Sequence, residues 1–198
     1  SSDLIAILLR ATVCDVWVVP DDYGPMFGVS LAPTLAPGDI VVTVKQDLPS
    51  AADLVRCTHP EDPSRWIVGR VMGRVGDTVV TDGISTSVNG RGTSITHGCD
   101  PVEITAPDTG NTIKLGCSYE SFAGFEYKIL RAGTKDYRNS SVTAEVQPGH
   151  VYLLSDNRYY HQDSRDLNVP VLAALCPDRI VFRLVGAAGW ADSDARFS

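Results

Sequence analysis

What most constrains this chain is a succession of short β-branched and aromatic runs separated by turn dipeptides. Ile40-Val41-Val42-Thr43-Val44, Trp66-Ile67-Val68, Thr78-Val79-Val80, Val151-Tyr152-Leu153-Leu154 and Ile180 to Val185 each have strand length, and Pro37-Gly38-Asp39, Asp82-Gly83, Asn89-Gly90 and Pro148-Gly149 punctuate them. Such a pattern specifies a mainly β fold. Asn89-Gly90 is the residue pair that a two-residue hairpin favours, because both central positions need positive φ. From Arg91 to Glu145 the Gly, Ser and Thr content rises. The runs Thr112 to Leu115 and Tyr127 to Leu130 within that stretch predict a small inserted β subdomain. The expected organisation is an N-terminal helix and strand over 1–20, a β core built from 21–90 and 146–198, and the insertion over 91–145.

With 198 residues, 43% of them hydrophobic, the chain can bury an ample core. A net charge of −7 argues against a nucleic-acid surface, which normally leaves a basic excess. Arg65, Arg70 and Arg74 form a local basic run, expected to be a solvated strand edge. Cys14, Cys57, Cys99, Cys117 and Cys176 show no metal-ligand spacing, so neither a metal nor a cofactor is expected. The odd count favours reduced thiols over disulfides, with Cys99 and Cys117 the pair to consider if one forms. Leu4, Ile5, Leu8, Leu9 and Val13 recur at helical spacing, which predicts a short amphipathic helix before a strand at Val16 to Val19. Asp3, Arg10 and Asp15 interrupt the apolar residues, so no transmembrane anchor is expected, only peripheral proximity to a membrane.

Three separated segments carry the chemistry. The first is Ser30-Leu31-Ala32-Pro33-Thr34-Leu35 followed by Pro37-Gly38-Asp39-Ile40-Val41-Val42. The second is Gly69-Arg70-Val71-Met72-Gly73-Arg74-Val75-Gly76-Asp77. The third runs from Pro148-Gly149-His150 through Ser155-Asp156-Asn157-Arg158 to Asp163-Ser164-Arg165. In this order they resemble the conserved boxes of type I signal peptidases, serine endopeptidases with a Ser-Lys pair. The resemblance implies that family's antiparallel β fold, a nucleophile at Ser30, and a binding surface that includes Leu31, Pro33, Asn157 and Arg165. The Gly-x-Ser turn and the Pro-Gly-His segment are closest in flavour to the mitochondrial inner-membrane peptidases, which implies a mitochondrial location.

The lysine that the resemblance places at the head of the second segment is Gly69 here. A serine hydroxyl is a weak nucleophile until a neighbour takes its proton, and a lysine can do so only as the neutral amine. Loss of one member of such a unit costs on the order of 10⁶ in turnover. The chain holds four lysines, Lys45, Lys114, Lys128 and Lys135, and none takes the vacant position. His161 stands where the family serine supports that lysine, so a Ser30-His161 dyad oriented by Asp156 or Asp163 is a chemically sensible alternative. Ser155 replaces a family glycine, and a left-handed conformation there would cost about 1–2 kcal/mol. Leu31 in place of methionine conserves volume. The oxyanion hole draws on the backbone N–H at the serine, which any residue supplies.

Three functions follow from these residues. One is a peptidase-like subunit without proteolytic activity, binding other protein subunits or an extended peptide along a strand edge. Another is an active endopeptidase of presequences that uses Ser30 with His161 or a partner's base. The last is a fold relative with a different ligand, for which no motif is present.

Overall fold

The computed structural model describes residues 13–82, 85–132 and 141–186. In chain order the elements are β1 (Cys14–Val18), α1 (Pro25–Ser30), β2 (Ile40–Lys45), β3 (Leu54–Thr58), β4 (Trp66–Gly73), β5 (Thr78–Thr81), β6 (Thr86–Val88) and β7 (Arg91–Gly92). There follow β8 (Ser94–Thr105), β9 (Thr112–Phe122), β10 (Phe125–Arg131), β11 (Val142–Glu145), β12 (His150–Leu154), α2 (Ser164–Leu167), β13 (Val171–Leu172) and β14 (Asp178–Val185). The mainly β, antiparallel fold expected from the sequence is what forms. The amphipathic helix expected over Leu4 to Val13 falls on residues 1–12, outside the described residues. No described helix is long and apolar enough to cross a membrane.

Three sheets organise these strands. The central sheet has the order β1-β2-β14-β3-β4-β12-β13, the second β10-β9-β8 and the third β11-β5-β6-β7. Alternation along the central strands explains its layering. Trp17, Val41 and Ile180 point into one core with Phe27, Leu31 and Leu35, while Val16 and Val18 face outward; a register shift between Ile180 and Phe182 turns Phe182 outward as well. Arg56 on β3 sits over Trp17 at 5.0 Å and Trp66 at 4.7 Å and pairs with Asp178, so one cation ties β3 to β1, β4 and β14.

The turns follow their residues. Asn89 (φ 52°) and Gly90 (φ 74°) close the β6-β7 hairpin with both φ values positive, the geometry their side chains favour. At the end of β4, a Cβ on Gly73 would meet Val79 Cγ2 at 2.5 Å, so only glycine lets the chain cross from the central to the third sheet this closely.

The three-stranded sheet packs its inner face, including Ile104, Leu115, Cys117 and Leu130, against Val29, Ala32 and Tyr160. It is also joined to the third conserved segment by backbone: Leu130 N–H donates to Asp156 O (2.9 Å) and Arg158 N–H to Leu130 O (2.8 Å), a parallel bridge.

Cysteine usage departs from the expected reduced thiols. Cys57 and Cys176 form one disulfide, Cys99 and Cys117 another, and Cys14 remains free. Strand register explains both. Cys99 stands directly across the β8-β9 ladder from Cys117, and Cys57 on β3 lies beside the residue that leads into β14. The sequence offered Cys99 and Cys117 as the pair to consider, but nothing in it pointed to Cys57–Cys176. Thiol titration of the unreduced, denatured chain is therefore expected to find one reactive thiol, and paired Cys57→Ser and Cys176→Ser substitution to lower stability by about 2–5 kcal/mol in a denaturant titration.

Candidate active site

Pro25 begins α1, its fixed φ suited to a first helical position, and Gly24 before it sits at φ 91°. Six residues later Ser30 ends the helix with only 1% of its surface exposed. Its hydroxyl donates to Phe27 O at 2.7 Å, satisfying a carbonyl of the last turn. Leu31 is buried with Trp17 and Phe27, and Pro33 is buried after a cis Ala32–Pro33 bond.

Asn157 clasps this turn. Its backbone N–H donates to Ser30 O (3.3 Å) and its Nδ2 to Val29 O (3.0 Å), while its Oδ1 accepts from Tyr159 N–H and Tyr160 N–H. Every polar group of the side chain is thereby used in the low-dielectric interior, where an unpaired amide is costly. Asp156, one residue earlier, accepts from Arg70 Nε (2.9 Å) and Nη2 (3.1 Å) and from the Thr34 hydroxyl. Arg70 donates further to Ala52 O and lies 4.0 Å over the Tyr127 ring. Arg70 thus corrects the expected solvated edge: it is 2% exposed and belongs to the core, whereas Arg74 is exposed and Arg65 partly so.

Gly69 occupies β4 opposite Val55 on β3. On its other flank β12 comes close. A Cβ at 69 would stand 3.1 Å from Leu154 O and 3.3 Å from Leu153 Cβ, closer than side chains normally pack. Continuing the β12-β4 register beyond the Leu154–Arg70 pair brings Ser155 opposite Gly69. Ser155 is not among the described residues of positive φ, so the left-handed strain expected there does not arise. Its N–H donates to Asp163 Oδ2 (2.7 Å), and its hydroxyl accepts from Gln162 N–H.

His161 is 13% exposed at its side chain, and its Nδ1 lies 2.8 Å from Asp166 Oδ2. Asp166, rather than Asp156 or Asp163, is the carboxylate that holds the ring. No hydrogen bond joins His161 to Ser30, whose hydroxyl is engaged by Phe27. The sequence did carry a signal for Asp166: it follows Asp163 by three residues, the spacing of a capping box, and both reciprocal bonds of that box are present at α2. Among the other lysines, Lys45 pairs with Asp178 (2.6 Å) and Lys128 lies over the Tyr119 ring.

Asp163 is buried against Arg165, which contacts it through Nε (2.9 Å) and Nη2 (2.7 Å). Burial alone would raise this carboxyl, but the Arg165 guanidinium, helped by His161 and the Ser155 N–H, holds it well below the usual carboxylate range. Ligand atoms of His161, Asp163 and Asp166 lie within 4.8 Å of one another. A cation there would lie beside the Arg165 guanidinium and compete with it for Asp163, which disfavours a metal.

Because folding lowers the Asp163 pKa, the pair stabilises the protein above the unfolded value near ~4 and loses that contribution as pH falls towards the lower folded value. Denaturation midpoints of the native protein are expected to fall below about pH 4, and those of Asp163→Asn to fall less steeply. At neutral pH, Asp163→Ala is expected to cost about 3–5 kcal/mol by leaving Arg165 buried and unpaired.

The geometry gathers the three segments around one serine turn, and comparison with known proteins shows the family of the chain. Residues 4–181 match the family described as Signal peptidase, peptidase S26. Two proteins named Signal peptidase I, from Streptococcus pneumoniae serotype 4 (strain ATCC BAA-334 / TIGR4) and from Streptococcus pneumoniae (strain ATCC BAA-255 / R6), are each 30% identical to this chain. Each alignment spans 143 residues, 70% of this chain and 70% of the relative. This chain belongs to the S26 family of signal peptidases.

Proposed function

We propose that this member of the signal peptidase family binds an extended polypeptide segment, as a binding or scaffold subunit of a larger protein assembly, without hydrolysing it. The observation that carries this reading is the β12 backbone lying against Gly69, where the family's general base would have to begin. Gly69 stands where the resemblance places a lysine and Ser155 where it places a glycine, and the register sets the two opposite one another, so a side chain starting at 69 would crowd the β12 backbone. The nucleophile position agrees, since Ser30 is buried and its hydroxyl is spent on Phe27 O. The Asn157 clasp nevertheless keeps the turn in shape, and strand-edge recognition of a peptide depends on backbone hydrogen bonds and not on a base.

A mitochondrial setting rests on the Gly28-Val29-Ser30 turn and the Pro148-Gly149-His150 segment. The two disulfides favour an oxidising compartment. The alternative of an active peptidase would need His161 to leave Asp166 and reach Ser30, or a partner chain to supply the base.

Incubation with a protein that bears a cleavable presequence is expected to give no product beyond that of Ser30→Ala, and acylating serine probes are expected to leave Ser30 unlabelled. Ser30-dependent cleavage would overturn the reading. Gly69→Lys is expected to restore no cleavage and to lower stability by about 1–3 kcal/mol through overpacking against Leu153 and Leu154.

A further inference from the structure

The outer face of the three-stranded sheet carries a basic hollow remote in purpose from Ser30. Lys114, Gly116 and Ser118 occupy alternate positions of β9, while Leu115 and Cys117 between them pack inward. Arg131, the last residue of β10, stands opposite Gly116. On the β8 side the ladder shifts register between the Cys99–Cys117 and Val102–Leu115 pairs, which puts Pro101 at the rim. The hollow has a volume of about 680 Å³, and among the described residues no carboxylate lines it.

Glycine is a poor choice for a strand interior unless something must approach the backbone. At 116 the fold makes no demand for it, because an added Cβ would meet nothing nearer than Arg131 O at 3.5 Å. What the glycine does provide is an open floor between two cations. Arg131 Nη2 donates to the Ser118 hydroxyl (3.1 Å), which fixes one edge of the guanidinium. Glu103 is across the ladder from Lys114, yet the two make no ion pair, and Lys114 has no other charged partner among the described residues. Lys114 and Arg131 thus bring two cations to one concavity in a chain of net charge −7, a local positive field that attracts an anion.

We propose that this hollow binds a phosphate group, with Arg131 contacting two of its oxygens, Lys114 acting as a point charge and the Ser118 hydroxyl completing the cradle. A planar fork beside a compact ammonium suits a tetrahedral oxyanion. The same chemistry is offered by a phospholipid headgroup and by a soluble phosphorylated molecule.

Isothermal titration of the full chain with inorganic phosphate at low salt, and its co-sedimentation with phosphatidylcholine vesicles with and without phosphatidic acid, test the site and separate the two sources. Binding is expected to weaken with added salt and to drop about tenfold in each of Lys114→Ala and Arg131→Ala, the loss of one charge-assisted contact. Lys128→Ala is expected to bind as the native protein does, and thermal midpoints of all three variants show that each is folded. Phosphate binding without vesicle retention assigns a soluble ligand, and retention only by phosphatidic acid vesicles assigns a headgroup. Failure to bind either probe, or binding that survives undiminished in the folded Lys114→Ala and Arg131→Ala variants, overturns the proposal.

Discussion

The buried Arg70–Asp156 pair is the contact on which the remaining architecture depends. Arg70 comes from the second conserved segment and Asp156 from the third; the Thr34 hydroxyl brings in the first, and the Tyr127 ring brings in the three-stranded sheet. A buried ion pair is a poor source of net stability because both charges lose their water. Here each partner has further bonds: Arg70 reaches Ala52 O, and Asp156 accepts from three donors. What the pair contributes is registry. Only one arrangement of β4 against β12 satisfies it, and that arrangement fixes what lies on each side of Gly69 and how Asn157 meets the Ser30 turn.

A second buried pair extends the frame. Arg158 joins Glu120 on β9 and the Thr86 hydroxyl on β6, and Tyr127 donates to the same Glu120 carboxylate. Three sheets therefore converge on side chains of the third segment. The backbone bridge at Leu130 acts in the same place, so the three-stranded sheet is held to the serine turn by main chain, by charge and by the apolar contacts of Val29 and Tyr160.

Much of this was legible in the chain. Strand runs, the Asn89-Gly90 hairpin and the three ordered segments all depend on local spacing, and local spacing is what a single sequence displays. Arg70 escaped because a basic run reads as solvated unless its partner, 86 residues away, is known to lie beside it. The Cys57–Cys176 disulfide escaped for the same reason, since the approach of Cys176 to β3 is a tertiary fact, whereas Cys99 and Cys117 were legible as the pair to consider. His161 was legible as a histidine beside a vacated position but not as the partner of Asp166, because the capping geometry of α2 decides which carboxylate it faces. The glycine at 69 could be read directly; that β12 comes within 3.1 Å of where a Cβ there would stand could not.

The Cys57–Cys176 bond spans 119 positions of sequence, from β3 to the entry of β14. Every strand from β4 to β13 thus lies within one covalent ring, together with both the second and third conserved segments. A protease that severs a single peptide bond in any of the connecting loops of that ring opens the loop but releases no fragment. The cut protein would keep its full mass until reduced, and its two new ends would stay tethered to the sheet that holds Arg70 and Asp156 together.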